Sequence, residues 1–432
     1  MQTDCFPDAI SEWSKGPMSK LAVVNPRYPM KKGQEYPFVE MASIGENFAG
    51  ILGFEARSLE GSGLTRFRVN DTLFAKITPC PQNGKVAFVA SIPGDVGLAS
   101  TEFIVLSPRS GTVPRYLYHL ACSHDVRGRA AARMEGSTGR QRVPEEVFTK
   151  RLLVPIPDPD EQAAIARILD AAEMALERTR AAVERAREVK RACLGDFFYE
   201  ALGDVAYADR PKQALPRGWT LVPTRRLLAE DPKNGWSPES STQPPGIPSF
   251  SIAAIRDGRV NLEGREHLKY ARVEEKLAER YRVRRGDVLI VRGNASPDLV
   301  GMAGMVNDFP DGCIYPDIAM RVAFRTIGEP RVRSAFAVLA WNHPIVHNQV
   351  LRRAKTSNGT LKINSRDVNQ IVVPVPPDEK QAEICGTIET VDRLIDALTA
   401  VGRAQQELKK SLMHDLLTGR VRVRDTSRVA VS

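Results

Sequence analysis

The sequence predicts an α+β protein in which two globular regions, rich in short β-strands, alternate with two long α-helices. Two observations carry this prediction. A stretch of about forty residues recurs 219 positions further along the chain, and each copy has the pattern of an uninterrupted helix. The residues before each copy form short apolar runs broken by Gly, Pro and Asn, which is typical of strands and turns.

The repeat keeps its register without a gap. Val154-Pro155-Ile156-Pro157 corresponds to Val373-Pro374-Val375-Pro376, and Gln162 corresponds to Gln381. Proline cannot lie inside a helix, so each helix begins after its proline pair. Two unrelated helices of similar composition would not keep this register, and the chain is therefore interpreted as two related halves.

Each helix carries an apolar seam at heptad spacing. The seam positions expected to pack between the helices are Ile165, Leu169, Leu176, Val183, Ile384, Ile388, Ile395 and Leu412. Because the two seams match in phase, we expect the helices to form an antiparallel intramolecular coiled coil. The alternative is that each helix packs separately on its neighbouring globular region.

Composition limits the function classes. Lys and Arg number 61 against 52 Asp and Glu, which gives a formal net charge of +9 and favours a polyanionic partner. No apolar run reaches the ~18 residues that a membrane helix needs, and the amino terminus lacks the apolar region of a secretory signal. The 6 cysteines are scattered without a CxxC pair. We therefore expect a cytoplasmic protein with free thiols and no contact with membranes.

Motifs for catalysis are missing. The sequence contains neither a Walker-type phosphate loop, nor a dinucleotide-binding glycine motif, nor the Asx-Pro-Pro-aromatic tetrapeptide of amino-methyltransferases. Asp378-Glu379-Lys380 resembles a nuclease pattern, but its place at a helix start predicts capping. His343 and His347 have metal-ligand spacing, yet Pro344 separates them and no third ligand is near. We expect no catalytic and no metal-binding residue.

Arginine clusters in the globular regions favour nucleic acid over a merely solvated basic surface. They comprise Arg127, Arg129, Arg133, Arg140, Arg142, Arg280, Arg282, Arg284, Arg285, Arg292, Arg352 and Arg353. Two similar modules joined by a rigid spacer can read two short sequences separated by an unread gap. Since the two globular regions differ strongly, the two parts of such a target should differ as well.

Several segments together resemble the specificity subunit of type I restriction–modification systems. Asn25-Pro26-Arg27-Tyr28-Pro29 resembles the opening of the first recognition domain in that family, and Leu215-Pro216-Arg217-Gly218-Trp219 resembles the start of the second. Val-Pro-x-Pro followed by Glu-Gln or Lys-Gln resembles the beginning of its helical spacers, and residues 411–423 resemble its carboxyl-terminal end. The first helix departs from the pattern, since Gly195-Asp196-Phe197-Phe198-Tyr199 lacks the Leu-Thr-Gly ending.

The resemblance implies target-recognition domains at 1–150 and 206–369, with helical spacer regions at 151–205 and 370–432. It implies two recognition domains in opposite orientation, related by a pseudo-twofold axis. The family's specificity subunit is non-catalytic and binds a bipartite, asymmetric double-stranded DNA sequence. Two modification (methyltransferase) subunits that use S-adenosylmethionine dock on the spacer, and restriction subunits that need ATP and Mg²⁺ join them. The cofactors would therefore belong to the partners.

The expected DNA contacts lie in the loops before each helix and beside two strands. They are Lys76, Lys85, Thr138, Arg140, Gln141, Arg142, Arg292, Asn294, Thr356, Ser357, Asn358, Thr360 and Lys362. Lys and Arg would mostly bind phosphate, whereas Gln141, Asn294 and Asn358 suit adenine edges. Three rival functions stay open: a bipartite DNA-binding regulator without enzyme partners, a self-contained methyltransferase or nuclease, and a coiled-coil scaffold without a DNA role.

Overall fold

The computed structural model describes residues 13–61, 63–137, 140–202, 215, 217–262, 266–325, 327–357 and 359–423, without the side chains of 199–202 and 357. The described residues form two compact units. The first unit comprises those up to 182 and from 398 onward, and the second comprises those from 183 to 397. Each unit therefore contains one globular region with the beginning of one long helix and the end of the other.

The first unit carries ten strands and the helices that follow them. The strands are β1 (Ser14–Pro17), β2 (Ala22–Val24), β3 (Glu35–Val39), β4 (Glu55–Ser58), β5 (Thr65–Arg68), β6 (Thr72–Ala75), β7 (Val86–Phe88), β8 (Val96–Ala99), β9 (Phe103–Pro108) and β10 (Leu153–Ile156). The helices are α1 (Pro114–Cys122), α2 (His124–Ala131) and α3 (Pro159–Leu202), with a 3-10 turn at Met18–Lys20 and a π-helical turn at Val147–Arg151.

The second unit carries the remaining elements. Its strands are β11 (Thr220–Pro223), β12 (Lys233–Asn234), β13 (Ser240–Ser241), β14 (Ile247–Phe250), β15 (Ile255–Arg256), β16 (Arg259–Val260), β17 (Leu268–Ala271), β18 (Val288–Val291), β19 (Gly293–Asn294), β20 (Ala303–Val306), β21 (Ala319–Val322), β22 (Lys355–Ser357), β23 (Thr360–Lys362) and β24 (Val372–Val375). Its helices are α4 (Thr224–Leu227), α5 (Glu275–Ala278), α6 (Ser334–Asn342), α7 (Pro344–Arg353), α8 (Ser365–Gln370) and α9 (Asp378–Thr418), with 3-10 turns at Ile252–Ala254 and Glu279–Tyr281.

The two globular regions share one sheet order. In the first unit the strands of the central sheet lie in the order β2-β9-β6-β7, and in the second unit the order β12-β21-β18-β20 repeats it. The second sheet continues into β16 and β15, whereas the first unit has a separate mixed sheet, β4-β3-β8-β5. In both units the proline-containing strand before the long helix pairs antiparallel with the first strand of the same unit, as β1 with β10 and β11 with β24.

Both long helices begin in the same way, because an equivalent glutamine satisfies two backbone groups. Gln162 Nε2 donates to the Pro157 carbonyl at 2.9 Å, and its Oε1 accepts from the Val113 amide that precedes α1 at 2.9 Å. Gln381 makes the same bonds in the second unit, to the Pro376 carbonyl at 3.0 Å and from the Arg333 amide at 2.8 Å. Each bond fixes a long helix to the globular region that precedes it.

Within each unit the two long helices run antiparallel. In the first unit Glu173 of α3 pairs with Lys409 of α9 at 3.0 Å, and the backbone of Gly402 approaches Thr179. In the second unit Lys190 of α3 pairs with Asp392 of α9 at 2.7 Å, and Lys380 lies over the Phe197 ring. Contacts at increasing residue numbers in α3 are made to decreasing residue numbers in α9, as in an antiparallel pair. The predicted fold class, two mixed α/β regions with two long antiparallel helices, is confirmed.

The seam residues are buried to different degrees. Ile165, Leu169, Leu176, Ile384 and Ile388 are buried. Val183, Ile395 and Leu412 are half-buried. The beginning of α3 also joins the core of the first globular region, and the beginning of α9 joins the core of the second. Each long helix therefore packs both on the other long helix and on the globular region that precedes it. Among the residues described, no helix is long and apolar enough to cross a membrane.

Candidate nucleic-acid interface

A basic residue follows the central strand of each globular region. Lys76 follows β6 and Arg292 follows β18, and both are half-buried. The Lys76 amide donates to the Glu102 carbonyl at 2.9 Å, and its carbonyl accepts from the Val143 amide at 2.9 Å. Arg292 repeats this pattern with the Ile318 carbonyl at 2.7 Å and the Ile363 amide at 2.9 Å. Since the loop that leads to the long helix is bonded to this residue in both units, the two positions are equivalent.

In the first unit the predicted loop residues come together beside Lys76. The Gln141 carbonyl accepts from the Thr78 amide at 2.9 Å, and the backbones of Arg142 and Glu135 exchange two hydrogen bonds of 2.9 Å. Arg140 is exposed and Gln141 is half-buried. Thr138 lies outside the described residues.

Arg142 has an acidic partner, Glu102, that no local sequence pattern predicts. Its guanidinium donates to both carboxylate oxygens of Glu102 at 2.7 to 3.0 Å. The hydrogen bonds from Arg142 lower the pKa of Glu102, against the opposing effect of burial. Forty residues separate the two side chains in sequence, so no local spacing signals the pair. In this structure Arg142 is therefore less available to a phosphate than an unpaired arginine would be.

In the second unit the equivalent loop is a β-hairpin. Strands β22 and β23 form it, and β19 extends it to a three-stranded sheet in which Asn294 lies opposite Leu361. Thr356 and Lys362 are exposed, and Thr360 is half-buried. The structure thus places Arg292, Asn294, Thr356, Thr360 and Lys362 on one small sheet and its edge. The Ser357 side chain and all of Asn358 lie outside the described part.

Two of the predicted contacts are already hydrogen-bonded inside their own unit. Lys85 Nζ donates to the Met41 carbonyl at 3.0 Å. The Asn294 side-chain oxygen accepts from the Ser296 amide at 2.9 Å, which leaves its NH₂ group to face other partners. The role of all these residues in DNA binding stays a prediction.

One cluster has the donor atoms of a metal site. His119, Asp170 and Glu173 are the three residues, and one ligand atom from each lies within 4.8 Å of the other two. Basic side chains already engage both carboxylates: Arg115 reaches Asp170 at 2.5 Å and Glu173 at 2.7 Å, and Lys409 reaches Glu173 at 3.0 Å. Burial lowers the pKa of His119, and its Nε2 lies 2.6 Å from Asp170 Oδ1. The cluster is therefore an ion-pair network between α1, α3 and α9.

The two histidines with metal-like spacing serve different backbone groups. His343 Nδ1 accepts from the Ile345 amide at 3.4 Å and caps α7, and burial lowers the pKa of His343 to about 4. His347 Nε2 lies 2.8 Å from the Val300 carbonyl. Both rings therefore contact backbone groups, His343 at the start of α7 and His347 from within it.

These features define a class of protein: an internally repeated chain in which each half joins a mixed α/β region, with a basic loop beside its central strand, to one long helix. No protein-family model matches the chain. It is similar to the specificity subunit of the type I restriction enzyme EcoKI from Escherichia coli, with 24% identity over 290 residues. That alignment covers 64% of this chain and 60% of the relative, so the chain matches less than two thirds of the relative's length.

A second relative extends the similarity along the chain. The specificity subunit of EcoEI from E. coli is 22% identical over 94% of this chain and 82% of its own length. Among solved structures, the S subunit of a type I restriction–modification system from M. genitalium matches with a TM-score of 0.55 and 15% identity, covering 96% of this chain and 99% of the other. The resemblance to type I specificity subunits is confirmed, and the structural match shows that the fold is shared.

Proposed function

We propose that this chain is the non-catalytic DNA-recognition subunit of a type I restriction–modification complex and that it binds a bipartite, asymmetric sequence. The observation that carries the proposal is the duplication of one arrangement. Lys76 and Arg292 occupy equivalent strand ends, and each holds the loop that precedes a long helix. Two equivalent basic loops on one chain suit two separate contacts with one duplex.

The chemistry of the two loops supports different target bases. In the first unit Gln141 and Arg140 accompany Lys76, and in the second unit Asn294, Thr360 and Lys362 accompany Arg292. Arg and Lys neutralise phosphates, whereas amide side chains can pair with the adenine edge in the major groove. Because the side chains of the two loops differ, the two parts of the target should differ.

The modification subunits would dock on the exposed sides of the long helices. In the first unit Val401 and Leu408 of α9 are 48% and 57% exposed, and in the second unit Val189 of α3 and Leu394 of α9 are each 52% exposed. Val189 and Leu408 occupy equivalent positions of the repeat. Exposed apolar residues on both helices suit two copies of one partner, which fits a complex with two modification subunits.

The proposal assigns the reaction to the partners. S-adenosylmethionine would be bound by the modification subunits, and ATP with Mg²⁺ by restriction subunits. In this account the complex works on cellular DNA in the cytoplasm.

Base-resolution methylation mapping tests the proposal. The chain is co-expressed with the modification subunit of its own system in a host without adenine methylation, and a modification subunit with an inactivated methyl-transfer site is the control. We expect one asymmetric bipartite motif with methyladenine in both parts. If the chain binds a specific DNA sequence but forms no complex with the modification subunit, and no methylation follows, the bipartite regulator is favoured instead. Methylation by this chain alone would favour the self-contained enzyme.

A further inference from the structure

The first unit contains a pocket of about 590 Å³ that opens beside Lys76. Three basic side chains line it, those of Arg27, Arg66 and Lys76. Thr65 and Thr101 also line it, and none of its lining residues is acidic. Three cations line the cavity, and Glu102, whose pKa Lys76 helps to lower, lies outside the lining. The excess of positive charge in the lining favours an anionic ligand.

The remaining walls are partly apolar. Pro26, Leu64 and Phe103 contribute to the lining, and Phe103 is buried against the core of the sheet. The volume lies within the range of about 300 to 1,000 Å³ that is typical of small-molecule sites. A lone phosphate would leave most of this space empty. A ligand with one phosphate and one flat apolar group would use both kinds of wall.

Partly buried hydrogen bonds hold the pocket in shape. The Asn25 side-chain oxygen accepts from the Val105 amide at 2.9 Å. Arg66 donates to the Tyr28 carbonyl at 2.5 Å, and Tyr28 Oη lies 2.9 Å from Asp71 Oδ2 and 2.8 Å from Ser107 Oγ. The segment that carries Arg27 is therefore fixed at both ends, which lowers the ordering cost of binding.

We propose that this pocket binds one nucleotide unit, with its phosphate on Arg27, Arg66 and Lys76 and its base against the apolar wall. The nucleotide has two possible sources, a base turned out of a DNA duplex or a free nucleotide. The DNA source rests on the proposed function, whereas the nucleotide chemistry of the pocket does not. Lys76 lines the pocket and is also hydrogen-bonded to the loop that leads to α3, which places the pocket at the edge of the candidate DNA-binding surface.

The first test uses the full chain and the four deoxynucleoside 5′-monophosphates, titrated by calorimetry. The unphosphorylated deoxynucleosides and inorganic phosphate are the comparison ligands. We expect saturable binding of at least one monophosphate, and binding at least about tenfold weaker for its deoxynucleoside and for inorganic phosphate. Absence of saturable binding by every monophosphate overturns the proposal, and so does equal affinity for inorganic phosphate.

Variants locate the bound nucleotide. Arg27→Gln and Lys76→Gln should each weaken monophosphate binding by about fivefold or more, because each removes a charged donor. Lys32→Gln is the matched control, since Lys32 is exposed, lies five positions from Arg27 and does not line the pocket. Arg27 is also exposed, so its substitution should leave the fold intact, which circular dichroism would verify. Equal binding by Arg27→Gln, Lys76→Gln and the control would overturn the assignment.

A competition assay separates the two sources. If the ligand is a nucleotide of DNA, duplex DNA displaces the bound monophosphate competitively, and Arg27→Gln weakens DNA binding more than Lys32→Gln does. If it is a free nucleotide, the monophosphate and the duplex bind together. Salt-sensitive DNA binding without monophosphate binding refutes nucleotide binding by the pocket and leaves the proposed function intact. Monophosphate binding without DNA binding refutes the proposed function alone.

Discussion

The middle of the helix pair differs between the two units in an instructive way. Glu173 in the first unit and Asp392 in the second occupy equivalent positions of the repeat, and each binds a lysine of the opposite helix, Lys409 or Lys190. Each acid also binds an arginine of its globular region. In the first unit this is Arg115 of α1 at 2.7 Å, and in the second it is Arg259 of β16 at 3.4 Å.

The pairing between the helices is therefore repeated, while the contact from the globular region is not. Lysine and acid pairs between helices set register and orientation. The two globular regions can therefore differ in structure, provided that one element of each supplies an arginine to the acid on the long helix. One pair of helices can therefore be combined with two unlike globular regions.

The starts of the two helices differ as well. Glu161 is 5% exposed and accepts hydrogen bonds from Trp13 at 2.8 Å and from Arg422 at 2.7 Å. Lys380 holds the equivalent position in α9, is half-buried, pairs with Glu383 and lies over the Phe197 ring. Residues near both ends of the described chain thus meet at the start of α3.

The largest expected effect comes from the buried seam. Leu169→Ala should lower the free energy of unfolding by about 3 kcal/mol, because Leu169 is fully buried in the core of the first unit. Its equivalent, Ile388→Ala, should cost less, about 2 kcal/mol, because Ile388 lies outside the large core clusters of the described residues. Urea unfolding followed by circular dichroism measures both. A larger loss for Ile388→Ala would show that the helix contact dominates over the globular core.

The next effect concerns the helix starts. Glu161→Ala should cost about 2 kcal/mol, because it leaves Trp13 and Arg422 without their buried carboxylate. Lys380→Ala should cost less, about 1 kcal/mol, because it removes a partly exposed ion pair with Glu383 and a contact with the Phe197 ring. Chemical unfolding of both variants makes the comparison. Equal losses would contradict the asymmetry between the two helix starts.

Acid should weaken the first unit through Asp170. Burial raises the pKa of Asp170, but hydrogen bonds from His119 and Arg115 outweigh it and hold the pKa at about 2, below its usual 3.8. A depressed folded-state pKa means that this stabilisation is complete above pH ~4 and is lost as the pH falls towards ~2. We expect a loss of ~2 kcal/mol over this interval, which Asp170→Asn should remove. An unchanged pH dependence in the variant would exclude Asp170 as its source.

The smallest effects concern the two basic loops. Lys362 and Arg142 are equivalent, but Arg142 is bound by Glu102, and Ile318 holds the position of Glu102 in the second unit. Lys362→Ala should lower DNA affinity by about threefold to tenfold and reduce the salt slope by about one, whereas Arg142→Ala should have less effect. Glu102→Gln should raise affinity by freeing Arg142. Gel-shift titrations at several salt concentrations measure this, and weaker binding by Glu102→Gln would contradict it.

Much of the fold was predictable because its signals are periodic or repeated. The constant offset of 219 residues and the Val-Pro-x-Pro segments predicted α3 and α9 before any contact was known. The loop sites were predictable only in outline. Arg142 and Glu102 meet through strand pairing of distant segments, and the arginines that bind Glu173 and Asp392 come from unrelated elements. Such contacts depend on tertiary structure, for which local sequence carries no signal.

The most direct test of the account is methylation mapping with one loop altered at a time. Gln141→Ala changes the first unit, and Asn294→Ala with Thr360→Ala changes the second, each in complex with the modification subunit. The account predicts that each variant relaxes or alters one part of the methylated motif, a different part for each, while the gap keeps its length. If both variants affect the same part, or if neither changes the motif, the claim that each unit reads its own part of the target is wrong.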